Sequence, residues 1–119
     1  MKDYVAYRRD LNGLIRGLGQ QAPATLAGFE ALREAGLADG VLGSKTKELI
    51  ALGIAIGVHC DGCIAYHVHD ALRAGATTEE VIETIGVAIV MGGGPGLIYA
   101  AEAFEALQQF QAPAGGTQG

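Results

Sequence analysis

The chain has 119 residues, of which 50% are apolar and 18% charged, and it carries a formal net charge of −5. A chain of this size builds one core, burying roughly 65% of its unfolded surface. The apolar share excludes disorder over most of its length, and the acidic balance, with no basic cluster anywhere, excludes nucleic-acid binding through phosphates. Ordinary domains carry about 25% charged residues, so a single copy is short of charge to cover itself. A homo-oligomer is therefore expected.

Apolar residues recur at spacings of three and four and no run alternates, which predicts an all-α chain. A first helix is expected over Asp3 to Leu18, with Tyr4, Tyr7, Leu11, Leu14, Ile15 and Leu18 on one stripe. Asp3, Arg8, Arg9 and Asp10 fall where a signal peptide needs an apolar centre, so a cytoplasmic location is expected. A second helix opens at Pro23 and stops at Gly36, a residue suited to the left-handed backbone that ends helices. Ser44 is the expected N-cap of a third helix through Gly57. No charge follows Glu48 until Asp61, so that helix should be buried nearly all round.

A fourth helix begins around Cys60 to Gly62 and ends at Gly75, and Thr77 with Glu80 forms a capping-box signature for a fifth carrying Val81, Ile82, Ile85, Ala88 and Ile89. Thr84 to Ala101 holds no formal charge over 18 residues, and ~18 to 20 such residues can span a bilayer. Gly92 to Gly96, with Pro95 among them, should break that stretch into two half-length helices, so no membrane span is expected. Pro95 opens a sixth helix through Phe104, Leu107 and Phe110. Residues 1–111 then form a single helical domain, and 112–119 a disordered tail. Gly53, Gly57 and Gly86 lie within predicted helices, where each costs ~1 kcal/mol relative to alanine, so close helix approach is expected at them.

Both cysteines and all three histidines fall within the eleven positions His59 to His69. With a helix starting near Cys60, Cys60, Cys63 and His67 stand at i, i+3 and i+7 on one face. Sulfurs in a first helical turn lie at the positive end of the helix dipole, which favours thiolate, and a Cys-x-x-Cys pair can cycle between dithiol and disulfide. If the third and fourth helices form an antiparallel hairpin turning near Gly57 and Val58, Glu48 comes level with His67, and a carboxylate orienting an imidazole is the logic of an activated nucleophile and its base. The candidate catalytic set is Cys60, Cys63, His67 and Glu48.

Other readings stand beside this one. The cysteines can be small buried apolar residues, or they can join His67 and either His59 or His69 in a structural zinc site of a non-enzymatic helical oligomer. Glu48 can be a carboxylate near a helix N-terminus paired with a lysine. His69, on another face, reads as surface, His59 as a cation ending the third helix, and Tyr66 as packing. The Gly92 to Gly96 run lacks the lysine and preceding strand of a phosphate loop.

The pattern Glu48, eleven residues, Cys60-x-x-Cys63, three residues, His67, followed by AlaLeuArgAlaGlyAlaThrThrGluGluValIleGlu and MetGlyGlyGlyPro, resembles the alkylhydroperoxidase D-like branch of the carboxymuconolactone decarboxylase family over about Ser44 to Leu107. The resemblance implies a helical trimer or hexamer that reduces peroxides or the disulfides of partner proteins. In it, Cys60 and Cys63 would be the redox pair and Glu48 with His67 the proton relay. It implies no cofactor and no metal. The peroxidase members carry a histidine between the cysteines where this chain has Gly62, and they are longer; weak peroxidase turnover is the corresponding expectation. The decarboxylase branch lacks the cysteine pair, so lactone decarboxylation does not fit.

Overall fold

The computed structural model describes residues 2–113, and every regular element among them is a helix: α1 (Tyr4–Gln21), α2 (Pro23–Leu37), α3 (Ser44–Gly57), α4 (Asp61–Arg73) and α5 (Thr78–Gln111). The expected tail lies mostly outside the described residues; Ala112, its first residue, is the C-cap of α5. Local chemistry sets most helix starts. The Asp3 carboxylate accepts from the Ala6 amide at 3.0 Å, Pro23 occupies the first turn of α2, and Thr77 and Glu80 make the reciprocal capping box of α5. Two boundaries differ from the sequence reading. Ser44 is the first residue of α3 rather than its cap; Gly43 caps it, and the Asp39 carboxylate takes the Ser44 amide at 2.6 Å. Gly36 does not end α2, which runs on to Leu37 and leaves through an extended Ala38.

α5 is helical by backbone along its whole length except at Gly93, which has φ 61° and ψ −144°. The expected five-residue break is thus a single left-handed glycine. Its effect is nonetheless a reversal. Gln111 Nε2 donates to Thr78 Oγ1 at 2.6 Å across 33 positions, and a Cβ on Gly96 would come within 3.2 Å of the Ala88 carbonyl, so the second arm lies back along the first. The 34-residue run has the length and apolar composition of a membrane span, yet its arms, residues 78–92 and 94–111, are only about 23 and 27 Å long at 1.5 Å per residue.

The core lies between α3, α4 and the two arms of α5. It is assembled from Leu52 and Ile56, Ile64 and Val68, Val81 and Leu107, with alanines at 55, 65, 71, 88, 100, 103 and 106. So many alanines bring the helix axes close. Gly53 faces Thr84 Cγ2 at 3.7 Å from its would-be Cβ, whereas Gly57 and Gly86 face nothing within 4 Å and do not mark close approaches. The N-terminus is pinned to this core by Tyr4, whose hydroxyl donates to Glu102 at 2.8 Å, and by Gln109, whose amide accepts from the Tyr4 N–H and donates to the Lys2 carbonyl.

Beyond its first turns α1 leaves the core, and α2 buries no residue at all. The stripe read as core on α1 is exposed from Leu14 onward. α3 is not buried all round, since Ile50, Ile54 and Val58 line an open face, and Ile82 on α5 is open as well. These residues were placed inside by their periodicity; within one copy nothing covers them.

Candidate functional site

α3 and α4 form the antiparallel hairpin that the sequence suggests, and its turn is built by backbone geometry. The Cys60 amide donates to the Ala55 carbonyl and the His59 amide to the Ile56 carbonyl, the paired bonds of a Schellman end, with His59 in the left-handed position at φ 60°. α4 ends in the same motif, with Gly75 at φ 98° in the corresponding place. Glycine is the usual occupant. His59 holds its position while stacking flat on Tyr99 of α5, ring centres 4.3 Å apart and planes 1° from parallel.

The turn delivers Cys60 as the N-cap of α4 and Cys63 one turn in, with Cα atoms 5.2 Å apart and the two sulfurs joined as a disulfide. The Cys63 amide donates to Cys60 Sγ at 3.2 Å, so a first-turn N–H already points at sulfur. One turn further, His67 Nδ1 lies 2.7 Å from Glu48 Oε1, reached across the hairpin from a buried position on α3. A carboxylate only accepts, so Nδ1 carries the hydrogen of this bond and Nε2 is left outside it. The hairpin thus brings together all four candidate residues, Cys60, Cys63, His67 and Glu48.

The remaining histidines stand apart. His69 contacts Asp70 at 2.8 Å and meets Phe110 edge-on, and His59 is taken up by Tyr99. As for a metal, Glu48, His67 and Asp70 offer three ligand atoms within 4.8 Å of one another. His67 Nδ1 is already paired with Glu48, and Asp70 Oδ1 with His69. The cysteines are bonded to each other rather than free to ligate.

α1 crosses directly over the dithiol turn. Lys2, just before α1, pairs with Asp61 at 2.8 Å and the Tyr66 hydroxyl donates to Asn12, fastening this N-terminal segment to α4 at two points. Between these ties, Leu11 Cδ1 stands 3.1 Å from where a Cβ of Gly62 would be. Gly62 therefore has a packing reason: the space a histidine between the cysteines would take is filled by Leu11. Burial raises the Tyr66 hydroxyl above its usual pKa against a smaller lowering by Arg8, so it stays protonated as the donor to Asn12. Arg8, Leu11, Asn12 and Ile15 share one face of α1 by their spacing, and with α2 they wall a cleft of 980 Å³ that opens on Cys60, Cys63, His67 and Glu48. Of that face only Leu11 and Ile15 belong to the apolar stripe read from the sequence; Arg8 and Asn12 do not.

The family model described as the carboxymuconolactone decarboxylase family matches residues 23–106. An uncharacterized protein of Cupriavidus necator is 41% identical over 101 residues, covering 82% of this chain and 89% of that one. The uncharacterized protein 4 in the cox locus of Paracoccus denitrificans is 41% identical over 81 residues, covering 68% and 73%. Among solved structures, a carboxymuconolactone decarboxylase family protein from Legionella pneumophila, crystallised in its apo form, superposes with a TM-score of 0.88 at 40% identity, covering 93% of this chain and all of that one. A protein of that family from Thermotoga maritima, described as a candidate for a role in the antioxidative response, gives 0.77 at 31% identity, covering 92% and 91%.

Proposed function

The chain belongs to the carboxymuconolactone decarboxylase family, and from that premise we propose that it acts as a thiol-dependent reductase of the alkylhydroperoxidase D-like kind, taking organic peroxides or the disulfide of a partner protein. The observation that carries this reading is the Cys60–Cys63 pair in the first turn of α4, one turn from an imidazole held by a buried carboxylate. In the reduced protein, one sulfur attacks as thiolate the terminal oxygen of the hydroperoxide. The O–O bond breaks, the alkoxide leaves as alcohol with a proton moved by His67, and the attacking sulfur becomes a sulfenic acid. The second thiol displaces water from it, closing the disulfide. Hydroperoxide and two thiols thus give alcohol, water and disulfide, and a dithiol donor returns two electrons and two protons. Glu48 holds the ring with Nε2 free, as a positioning residue. Such a cycle suits the cytoplasm, whose thiol systems can restore the dithiol.

Assembly belongs to the same reading. Leu14, Leu18 and Leu32 on the α1–α2 pair and Val90 and Met91 at the bend of α5 are more than half exposed; a homo-oligomer, a trimer or hexamer, would cover them.

The test is a thiol titration of reduced, metal-chelated protein before and after one equivalent of an organic hydroperoxide, with intact mass recorded. Loss of two thiols and two mass units is the expected result. Thiols that persist, or that become titratable only after a metal is stripped, would assign the cysteines a structural role.

A further inference from the structure

Three carboxylates line the cleft over the dithiol, and each is already engaged: Glu30 with Arg33 at 2.6 Å, Glu48 with His67, and Asp70 with His69. The lining cations are Arg8, Arg33 and Arg73. Arg33 is taken by Glu30, and Arg73 sits exposed at the C-terminal turn of α4, where a cation suits the helix dipole. Arg8 differs from both. It is half-buried, no carboxylate among the described residues pairs with it, and its Nε is buried without a hydrogen-bond partner. Its guanidinium rests 5.5 Å over the ring of Tyr66, which holds the plane but satisfies no N–H.

Much of the remaining wall is aliphatic and aromatic, with Leu11, Ile15, Leu26, Phe29 and Leu37, and Asn12, Ser44 and Tyr66 add neutral polar groups. A cleft with a half-buried, unpaired guanidinium on a wall rich in apolar side chains, opening on the cysteine pair, is complementary to an amphipathic anion. Guanidinium and carboxylate match as paired donors and acceptors, and a half-buried cation without a carboxylate partner gains from such a ligand. We propose that the cleft binds a medium-chain aliphatic carboxylate with its carboxylate on Arg8, and that the preferred peroxide of this site is therefore a hydroperoxide bearing such a carboxylate. The second clause rests on the reductase reading; the first does not.

Two measurements separate them. Calorimetric titration of the oxidised protein with octanoate and with 1-octanol tests binding without any redox step. Octanoate should bind about tenfold more tightly, Arg8→Gln should abolish the difference, and Arg8→Lys should restore part of it. The second measurement is the rate of disulfide formation in reduced protein with a fatty-acid hydroperoxide and with its methyl ester. The acid should react about tenfold faster than the ester, a ratio that Arg8→Gln brings to about one. Equal binding of octanoate and octanol, or a preference that survives Arg8→Gln, overturns the proposal. Arg8-dependent octanoate binding with no reaction of either hydroperoxide upholds the binding site and overturns the reductase reading alone.

Discussion

The two helix pairs of this protein are built on opposite terms. α3 and α4 each bury four residues and place the cysteine pair, the imidazole and its carboxylate. α1 buries only Tyr4 and Val5, α2 buries nothing, and together they furnish the outer wall of the cleft and a broad apolar surface. Groups that must meet within hydrogen-bond distance sit where packing fixes both partners; the outer wall of the cleft is held by a few polar ties. Composition alone does not distinguish the pairs, since leucines and isoleucines occur on both.

The largest expected effect tests that contrast directly. Ile64→Ala, within the first pair, should cost about 2–5 kcal/mol in denaturant unfolding, whereas Leu32→Ala on α2 should change the stability of an isolated subunit by no more than about 0.5 kcal/mol. Leu32→Glu should instead lower the mass seen by light scattering. A Leu32→Ala cost equal to that of Ile64→Ala, with mass unchanged, would break the comparison by making α2 part of the subunit's own core.

The seam between the pairs is tested at Gly62, beneath Leu11. Gly62→His should cost about 1–3 kcal/mol through overpacking, and most of that cost should vanish in a Leu11→Ala background, a coupling that a double-mutant cycle reads. Glu48→Gln leaves the packing nearly intact but removes the charge that orients His67; disulfide formation with a hydroperoxide should slow about 10²-fold while the melting temperature moves little. Unchanged thiol reactivity would take Glu48 out of the mechanism.

Smaller effects refine the picture of the inner pair through its two matched ends. Gly75→Ala meets no steric neighbour, so it should cost only the backbone penalty of a left-handed residue, about 1–2 kcal/mol. His59→Gly relieves the same penalty, and any shortfall from that gain measures the stack on Tyr99. The smallest effect is on pH dependence. Burial first, and then the hydrogen bond to Glu102, hold the Tyr4 hydroxyl well above its usual pKa near 10. The folded state therefore keeps that proton more tightly than the unfolded chain; the stabilisation is complete below pH 10 and is lost as pH rises above it. Melting temperatures should fall above pH 10, and Tyr4→Phe should flatten that alkaline limb.

Helix content, the Cys60 start of α4, the Thr77 box and the pairing of Glu48 with His67 were all legible in the sequence, because each follows from spacing along one helix or from symmetry about one turn. Ser44 misled because capping depends on the group that arrives from elsewhere, here the Asp39 carboxylate, and Gly36 because α2 runs one residue further and leaves through an extended Ala38. Leu11 over Gly62, His59 on Tyr99 and the unpaired Arg8 join residues 40 to 58 positions apart and carry no local signal. The outward stripes on α1 and α3 show the limit of periodicity: it identifies an apolar face without telling whether the same copy covers it.

The side-chain amide of Gln109 also orders events in time. It holds the backbone of Lys2 and Tyr4 across more than a hundred positions, so during synthesis α1 emerges from the ribosome first and yet has its clasp last. Until the second arm of α5 is made, α1 lies above the cysteine pair held only by its ties to α4, and contacts of such separation form late because loop closure must come before them. On a nascent chain Cys60 and Cys63 are made about fifty residues ahead of Gln109, and they stay without that clasp until the second arm of α5 follows.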